Sequence, residues 1–341
     1  MSITFPANKG EPIELMQTML AGHFVAQCLH VVAVLGIADL IVKGHKTIKQ
    51  LASAADCNAS SLNRLLCTLS SMNVFTCDAA GHYGLTPLGE TLRSDVQGSL
   101  RDKALFEISQ PMWSAWGSCL DCVRRGRPSF DQVHGATLWQ YLADHSDIAT
   151  IFNRFMTVQS QLHNAAIIDS YNFSAVGVVV DIGGGQGGTI AALLTQYPDM
   201  RGVLFDLPNV VAPASKLETS RFLDRCEVVG GDMLQSVPRG GDVYIIKRVM
   251  MDLTDEEAIR VLGNCIAAMK RDSKILIVDP VLPNGNEPHL NRLVDLHMMN
   301  VTGGQCRTEA QFRKLYETSG LRLTRTVATR SPNFILEGSR P

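Results

Sequence analysis

Glycines placed between an apolar segment and a helical segment are the pattern in this chain that most directly indicates ligand chemistry. In the stretch "VVVDIGGGQGGTIAALL", Gly183, Gly185 and Gly188 satisfy the spacing G-x-G-x-x-G. Missing side chains let the backbone approach a ligand, and the N-terminus of the following helix points unbonded N–H groups at it. The loop therefore predicts a site for an adenosyl cofactor, and the pattern alone leaves a dinucleotide open.

Carboxylates at the ends of three apolar segments narrow the choice of cofactor. Asp181 precedes the glycine loop, Asp206 ends "VLFDLP", and Asp232 with Met233 ends "VVGGDML". Asp206 stands about where a carboxylate reaches ribose hydroxyls, and Met233 offers an apolar surface to an adenine ring. Asp181 would repel a pyrophosphate but would attract a cationic amino-acid tail. The set favours S-adenosylmethionine over NAD.

A further strand-to-helix junction carries no titrating group at the position where α/β enzymes often have one. The stretch "YIIKRVMMDLTDEEA" places Met250 and Met251 between an apolar strand and an acidic helix start. Thioethers do not exchange protons. Asp252 follows, and we interpret it as the cap of the helix that begins near Thr254.

The elements that must position these residues differ between the two halves of the chain. From residue 171 to residue 341, apolar runs of four to six residues alternate with helical segments, which is typical of parallel strands buried on both faces. The stretches "LRLTRTVATR" and "NFILEGS" predict a closing hairpin. We therefore predict an α/β fold, in which a Rossmann-like, doubly wound sheet binds the cofactor.

Residues 1–170 are predicted to be helical, with one exception. The stretch from Lys46 to Glu90 has the pattern helix, turn, helix and two short strands around Gly81, which is a winged-helix pattern. The second of these helices, Ser60 to Ser71, carries the single basic residue Arg64, whereas binding to phosphates needs several cations. The net charge of −2 also gives no reason to expect a nucleic-acid partner. We predict a winged-helix dimerisation module rather than a DNA-binding domain.

Cysteine usage and the N-terminus favour the cytoplasm. Nine cysteines are scattered without a disulfide framework, and the C-x-x-C pair Cys119 and Cys122 has no second pair that would complete a metal site. The first sixteen residues are polar and acidic, unlike a signal peptide. The apolar run from Phe24 to Val42 is long enough to span a membrane but contains three polar residues, so we predict a buried helix at a subunit interface. No metal and no membrane partner are expected.

Several stretches at once resemble the class I small-molecule O-methyltransferases, which include plant caffeic-acid-type and bacterial antibiotic-tailoring enzymes. They are "VVDIGGGQGGTIAALLTQYPDMRGVLFDLPNVV", "GGDMLQSVP", "DLTDEEAIRVLGNCIAAM" and "LVDLHMMNVTGGQCRTEAQF". The run "GDMLQSVPRGGDVYIIKRVMMDLTDEEAIRVLGNCIAAM" is especially similar to bacterial members that N-methylate phenazine carboxylates. The resemblance implies a methyltransferase that forms homodimers and binds a small aromatic or heteroaromatic substrate between its two domains.

The resemblance also implies site residues, which join those chosen from the pattern. The cofactor set is Asp181, Gly183, Gly185, Asp206, Leu207, Asp232, Met233 and Lys247. The substrate set is Trp113, Phe155, Met156, Met251, His297, Met299 and Asn300.

The chain departs from the family where the family keeps its general base, a histidine, because Met251 stands at that position. The two glutamates that orient the histidine correspond to Asp279 and Cys306. A phenol with a pKa near 10 is only about 0.1% ionised at pH 7, so its deprotonation costs roughly 4 kcal/mol. A ring nitrogen or an already ionised oxygen needs no base. We therefore predict methyl transfer to such an acceptor by positioning and desolvation.

Three alternatives stay open at this point. The chain could methylate a hydroxyl with a substitute base, for which His297, His163 and Asp279 are weak candidates. It could catalyse a non-methylating, pericyclase-like reaction with the same cofactor, or it could bind ligands without turnover. The intact glycine loop argues against loss of the cofactor.

Overall fold

The computed structural model describes residues 11–212 and 218–341, apart from the side chains of Leu162 and Glu218. The stretch argued above not to be a signal peptide lies largely outside these residues. Two compact units divide the chain: a sheet unit, comprising Ser114–His145 and Gln159–Pro341, and a helical unit, comprising 11–113 and Ser146–Val158. The predicted functional boundary at residue 170 stays a prediction.

The order of helices and strands follows the prediction that a mainly helical first half precedes a half in which strands and helices alternate. The helices are α1 Pro12–Leu20, α2 Gly22–Val34, α3 Ile37–Val42, α4 Ile48–Ala54, α5 Ala59–Ser71, α6 Pro87–Glu90, α7 Arg101–Glu107, α8 Gln110–Gly117, α9 Cys119–Arg125, α10 Ser129–His134, α11 Leu138–Asp144, α12 Ser146–Ser170, α13 Gly188–Gln196, α14 Pro208–Val211, α15 Asp255–Ala268, α16 Leu290–Val301 and α17 Glu309–Thr318. The strands are β1 Phe75–Cys77, β2 Tyr83–Leu85, β3 Val178–Ile182, β4 Arg201–Asp206, β5 Cys226–Gly230, β6 Val243–Lys247, β7 Lys274–Pro280, β8 Arg322–Ala328 and β9 Asn333–Ser339.

The helical unit contains the predicted helix–turn–helix and wing. Asn58 caps α5 because its side chain accepts a hydrogen bond from the Ser61 N–H at 3.0 Å. Strands β1 and β2 pair antiparallel, with Gly81 in the connection between them. Buried leucines of α5, among them Leu62 and Leu66, join the core of the unit.

The apolar run from Phe24 to Val42 is not one helix, so that prediction is wrong on continuity. Gly36 adopts a φ of +63° and separates α2 from α3. Within the single chain only Val32 and Ala33 of α2 are buried. Residues Pro12–Val34 are long and apolar enough to cross a membrane by length and composition, with 11% of the apolar window buried. Apolar exposure of this kind is also what a subunit interface presents.

The sheet unit is built on seven strands in the order β5-β4-β3-β6-β7-β9-β8. The first five strands in this order, β5, β4, β3, β6 and β7, pair in parallel with their neighbours. Strand β9 runs antiparallel to both of its neighbours, as the predicted hairpin requires. Alternate residues of the central strands face opposite layers: Val180 and Ile246 pack on the side of α15 and α17, and Val179 and Ile245 on the side of α13. Burial on both faces explains the continuous apolar runs in the sequence.

The topology fixes where a ligand can bind. From β3 the chain proceeds outward through β4 and β5, and it then returns to place β6 on the other side of β3. In doubly wound sheets, ligands bind at the carboxyl ends of the strands where this reversal occurs. The glycine loop after β3 and Lys247 at the end of β6 lie on either side of this point.

Candidate functional site

The glycine loop turns sharply at the carboxyl end of β3 and brings backbone amides onto a carboxylate. Gly183 and Gly185 have φ angles of +66° and +59°, a left-handed conformation that favours glycine. The Gly185 N–H donates to Asp206 Oδ2 at 2.7 Å, and the Leu207 N–H donates to Asp206 Oδ1 at 2.7 Å. Each oxygen keeps a lone pair, so the loop presents Asp206 as an acceptor for ligand hydroxyls.

Asp181 is a buried carboxyl group at this edge of the sheet, close to the glycine loop. Its side chain is 1% exposed, and neither carboxylate oxygen has a hydrogen-bond partner among the described residues. Burial raises the pKa of Asp181 to about 6, although the charge of Lys247 opposes the shift. A Cβ added at Gly184 would lie 2.7 Å from Asp181 Oδ2, so this carboxylate lies directly against the glycine loop. An unpaired buried carboxylate is costly, and a bound cation would compensate it.

Lys247 is fixed by two residues of α12, Ser160 and Asn164, that the sequence analysis did not assign to the site. Its Nζ donates to Ser160 Oγ at 2.7 Å and to Asn164 Oδ1 at 3.2 Å, and Asn164 Oδ1 also accepts from Thr189 Oγ1 at 3.2 Å. Ser160 and Asn164 are one helical turn apart, so one face of α12 meets the end of β6. Sequence reasoning missed both residues because their partner is 83 to 87 positions away and no local pattern marks them.

Asp232 and Met233 follow β5. Asp232 Oδ1 accepts from the Leu234 N–H at 2.8 Å, and the Met233 carbonyl accepts from Asn264 Nδ2 at 2.8 Å. The side chain of Met233 packs against the sheet core. Both residues are therefore held in place, and their contacts with a cofactor stay a prediction.

Met251 lies in a single 3₁₀ turn, Met250–Asp252, immediately beyond β6. Its side chain is 3% exposed and belongs to an apolar cluster with Met298 and Cys306. The position predicted to correspond to the family's base is thus occupied by a thioether in an apolar setting.

Asp252 does not cap the helix that follows, so our interpretation of it is wrong. Thr254 is the N-cap of α15: its side chain accepts from the Glu257 N–H at 3.3 Å within a complete capping box. Asp252 is left as a partly buried carboxyl beside Met251. Burial raises the pKa of Asp252 to about 7, against the opposing charge of Arg248. It is therefore a proton-exchanging group near neutral pH that sequence reasoning missed, because a carboxylate near a helix start looks like a cap.

The two residues predicted to correspond to the family's orienting glutamates, Asp279 and Cys306, are both buried. Asp279 is fully buried, and neither carboxylate oxygen has a hydrogen-bond partner within the described part of the chain. Burial raises the pKa of Asp279 to about 8, although Arg248 and Arg307 oppose the shift. Burial likewise raises the pKa of the Cys306 thiol to about 12. At pH 7 both groups are mainly protonated.

The histidines proposed as substitute bases are poorly suited to that role. Burial, with the charges of Arg248 and Lys247, lowers the pKa of His163 to about 4, too low for efficient deprotonation of a phenol. His297 Nδ1 lies 3.1 Å from Trp116 Nε1. The indole N–H can only donate, so Nδ1 accepts and the proton of the neutral ring resides on Nε2.

The remaining predicted substrate residues divide between the two units. In the helical unit, Phe155 is 7% exposed and packs against Phe106, with ring centroids 6.2 Å apart, while Met156 and Trp113 are partly buried. In the sheet unit, Met299 is partly buried on α16. Asn300 is fully buried, and both atoms of its amide group lack partners among the described residues.

No metal centre is built within residues 11–212 and 218–341, where no three His, Cys, Asp or Glu side chains are placed to hold an ion. Cys122 donates instead to the Met299 carbonyl, with 3.4 Å between the atoms.

Comparison with known proteins identifies the family. The O-methyltransferase domain family matches residues 116–322, and the O-methyltransferase dimerisation domain matches residues 17–95. The chain belongs to the O-methyltransferase family. It is 38% identical to a phenazine O-methyltransferase of Lysobacter antibioticus over 96% of either chain. It is 31% identical to a phenazine-1-carboxylate N-methyltransferase of Pseudomonas aeruginosa over 91% of this chain and 92% of that one.

A solved structure supports the cofactor. An O-methyltransferase from neocarzinostatin biosynthesis, in complex with S-adenosylmethionine and 2-hydroxy-5-methyl naphthoic acid, superposes with a TM-score of 0.82. It is 30% identical, over 93% of this chain and 96% of that one. S-adenosylmethionine is the cofactor that this family uses, and this chain's residues fit it. The unpaired Asp181 suits a cationic amino-acid tail, and Asp206 suits ribose hydroxyls. Because both N- and O-methyltransferases are similar to the chain, the comparisons leave the acceptor atom undetermined.

Substitution of Gly184 by alanine tests the cofactor loop. The new Cβ would lie 2.5 Å from Leu204 Cδ1 and 2.7 Å from Asp181 Oδ2, so the loop must shift. We expect the Kd for S-adenosylhomocysteine, measured by calorimetry, to rise at least about tenfold, which is about 1.4 kcal/mol. Gly263→Ala is the control, because no atom lies within 4 Å of its added Cβ on the exposed side of α15. Unchanged affinity in Gly184→Ala would contradict the placement of the cofactor.

Substitution of Asp279 by asparagine tests the buried carboxyl. The pKa of Asp279 is about 8 in the folded chain and about 3.9 in an unfolded one. Its contribution to stability is therefore fully present below about pH 4 and is lost as the pH rises through about 8. We expect the Tm of Asp279→Asn, relative to that of the wild type at the same pH, to rise as the pH increases from 5 to 9.

Asp242→Asn provides a control of opposite sign for this experiment. Burial alone would raise the pKa of Asp242, but hydrogen bonds from Lys270 and the Val178 amide outweigh burial and lower it. The Tm of Asp242→Asn should therefore lie below that of the wild type at neutral pH, and this difference should disappear as the pH falls below about 4. A Tm difference for Asp279→Asn that does not change with pH would exclude a protonated Asp279.

Proposed function

We propose that this protein transfers the methyl group of S-adenosylmethionine to a nitrogen, or to an already ionised oxygen, of a small aromatic or heteroaromatic metabolite. S-adenosylmethionine supplies an electrophilic methyl group on a sulfonium. The chain positions the acceptor and excludes water, and it removes no proton before transfer.

The observation that carries the proposal is the setting of Met251. The family's base is replaced by a thioether packed against Cys306 and Met298, and the carboxyl behind it, Asp279, is protonated at neutral pH. Loss of a general base typically costs about 10²- to 10⁴-fold when a proton must be removed. The loss has no cost when the attacking atom already has an available lone pair.

Polar groups for acceptor recognition are available in the sheet unit. Asn300 is fully buried with an unpaired amide, which can donate two hydrogen bonds and accept others. A buried unpaired amide on the helix that also carries His297 and Met299 supports a role in recognising a ring heteroatom or an oxygen substituent. The named relatives act on phenazines or bind a naphthoic acid, which agrees with a flat aromatic acceptor.

A second candidate function is O-methylation with Asp252 as the base. Its carboxyl adjoins Met251 in the same turn, and its pKa of about 7 is near the optimum for a base at neutral pH. Asp252 is a better candidate for the base than the two histidines. The contact of His297 with Trp116 and the lowered pKa of His163 argue against those residues.

We expect the active form to be a cytoplasmic homodimer. The match to the family's dimerisation domain at residues 17–95 and the exposed apolar side chains of α1 and α2 support this assembly. Sedimentation of the purified protein would report the assembly directly.

A label-transfer assay tests the function. Purified protein would receive methyl-labelled S-adenosylmethionine with a panel of N-heterocycles, aromatic carboxylates and phenols of matched size. Transfer to nitrogen or carboxylate with little transfer to phenols supports the proposal. Brisk transfer to phenols, lost in Asp252→Asn, would establish the second candidate, and cofactor binding without any transfer would point to non-methylating chemistry or to a binding protein.

Substitution of Met251 by histidine gives a directional prediction. The imidazole would restore a base, so we expect kcat/KM for phenols to rise at least about tenfold. N-methylation should improve by no more than about twofold, because its acceptor has no proton to lose. Met298→Leu, which changes a neighbouring thioether of the same cluster without adding a base, is the control. Equal gains for both classes of acceptor would show that proton removal does not distinguish them.

A further inference from the structure

Arg307 is a fully buried arginine whose hydrogen bonds converge on the turn that carries Met251. Its side chain is 1% exposed, although arginine is rarely buried unless it is paired. Its Nε and Nη2 donate to Asp255 Oδ1 at 2.9 and 2.8 Å. Asp255 is the first residue of α15, so these bonds connect Arg307 to the helix that follows the turn.

The other N–H groups of Arg307 bind main-chain carbonyls. Nη1 donates to the Met250 carbonyl at 2.6 Å and to the Gln305 carbonyl at 3.4 Å, and Nη2 donates to the Leu253 carbonyl at 2.9 Å. All five donors of the guanidinium are therefore used. Met250 and Leu253 are the residues on either side of the pair Met251 and Asp252, so the guanidinium holds both ends of the turn.

The loop that carries Arg307 also contacts the turn through its backbone. A Cβ added at Gly304 would overlap the Met251 carbonyl and would lie 2.5 Å from the Asp252 carbonyl carbon, so the chain passes directly against this peptide unit. On its other side the loop is fixed to the extension of β7, because the Leu282 N–H donates to the Arg307 carbonyl at 2.9 Å. The loop thus fastens the turn after β6 to the segment after β7.

We infer that Arg307, together with the close approach of Gly304, is a positioning element that directs residue 251 toward the acceptor and residue 252 away from it. It touches no reacting atom and acts through the turn. Methionine has a flexible side chain, so the position of its backbone decides where the thioether lies. The kinetic consequence rests on the proposed function, whereas the restraint on the turn does not.

Two variants release the turn from different sides. Arg307→Lys keeps the charge but offers three donors in place of five and has no planar fork. Gly304→Ala keeps Arg307 and pushes the turn by steric contact, so it remains informative if the arginine variant folds poorly. Tyr316→Phe is the matched control, because it removes a buried hydrogen bond of 2.8 Å to the carbonyl of Leu336, which lies in β9 and not in the turn.

Two measurements separate positioning from general stability. In steady-state kinetics we expect kcat/KM for the acceptor to fall about 10- to 100-fold in Arg307→Lys and in Gly304→Ala, while the Kd for S-adenosylhomocysteine changes less than about twofold. In spectra of protein with 13C-labelled methionine methyl groups, the Met251 signal should shift in both variants. The signal of Met200, which is buried in the core on the α13 side of the sheet, should not move.

The outcomes are decisive. An unchanged Met251 signal in both variants would overturn the inference. So would shifts of the Met251 and Met200 signals together, or an equal fall in kcat/KM for Tyr316→Phe, because both would indicate a structural role only. If the wild type methylates no acceptor, the proposed function fails, and the Met251 signal still reports whether Arg307 holds the turn.

Discussion

Desolvation at the carboxyl edge of the parallel sheet governs the chemistry of this molecule. Because helices cover both faces of the sheet, polar side chains can meet a ligand only where the strands end. The same burial raises the pKa of Asp181, Asp206 and Asp279, since a carboxylate loses hydration when it is enclosed. What each carboxyl can do then depends on the donors and charges that surround it.

The buried carboxyl groups on the two sides of this edge differ in their charge at neutral pH. On the side of β3 and β4, backbone amides bind Asp206, and Lys247 opposes the shift of Asp181, so negative charge is retained for a cationic ligand. On the side of β7, burial of Asp279 outweighs the opposing charges of Arg248 and Arg307, so this carboxyl keeps its proton beside the apolar wall that Met251 forms. Transfer from a sulfonium to a neutral nitrogen moves positive charge toward this wall without creating a proton that must be removed.

Local patterns were sufficient for the fold and for the position of the glycine loop after β3, and they failed where contacts are distant in sequence. The glycine spacing, the apolar strands and the capping signals each act within a few residues. The parallel sheet, and the ligand-binding edge where its strand order reverses, could therefore be predicted. Ser160, Asn164 and Arg307 could not, because the groups that tie them to the site, the Lys247 ammonium and the Met250 carbonyl, lie more than 50 positions away. Asp252 was misassigned for a local reason: Thr254 and Glu257 complete a capping box two residues later, which leaves the aspartate available.

The geometry of the 3₁₀ turn bears on the choice between the two candidate functions. A 3₁₀ helix has about three residues per turn, so consecutive side chains point roughly 120° apart. Met251 and Asp252 are consecutive, and Met251 points into the cluster with Met298 and Cys306. An acceptor that contacts Met251, as we propose, would therefore lie away from the direction of Asp252. Proton removal by Asp252 would require the turn to rotate, and the guanidinium of Arg307, bonded at 2.6 and 2.9 Å to the carbonyls on either side, opposes that rotation. The restraint on the turn thus favours an acceptor that arrives without a proton to lose.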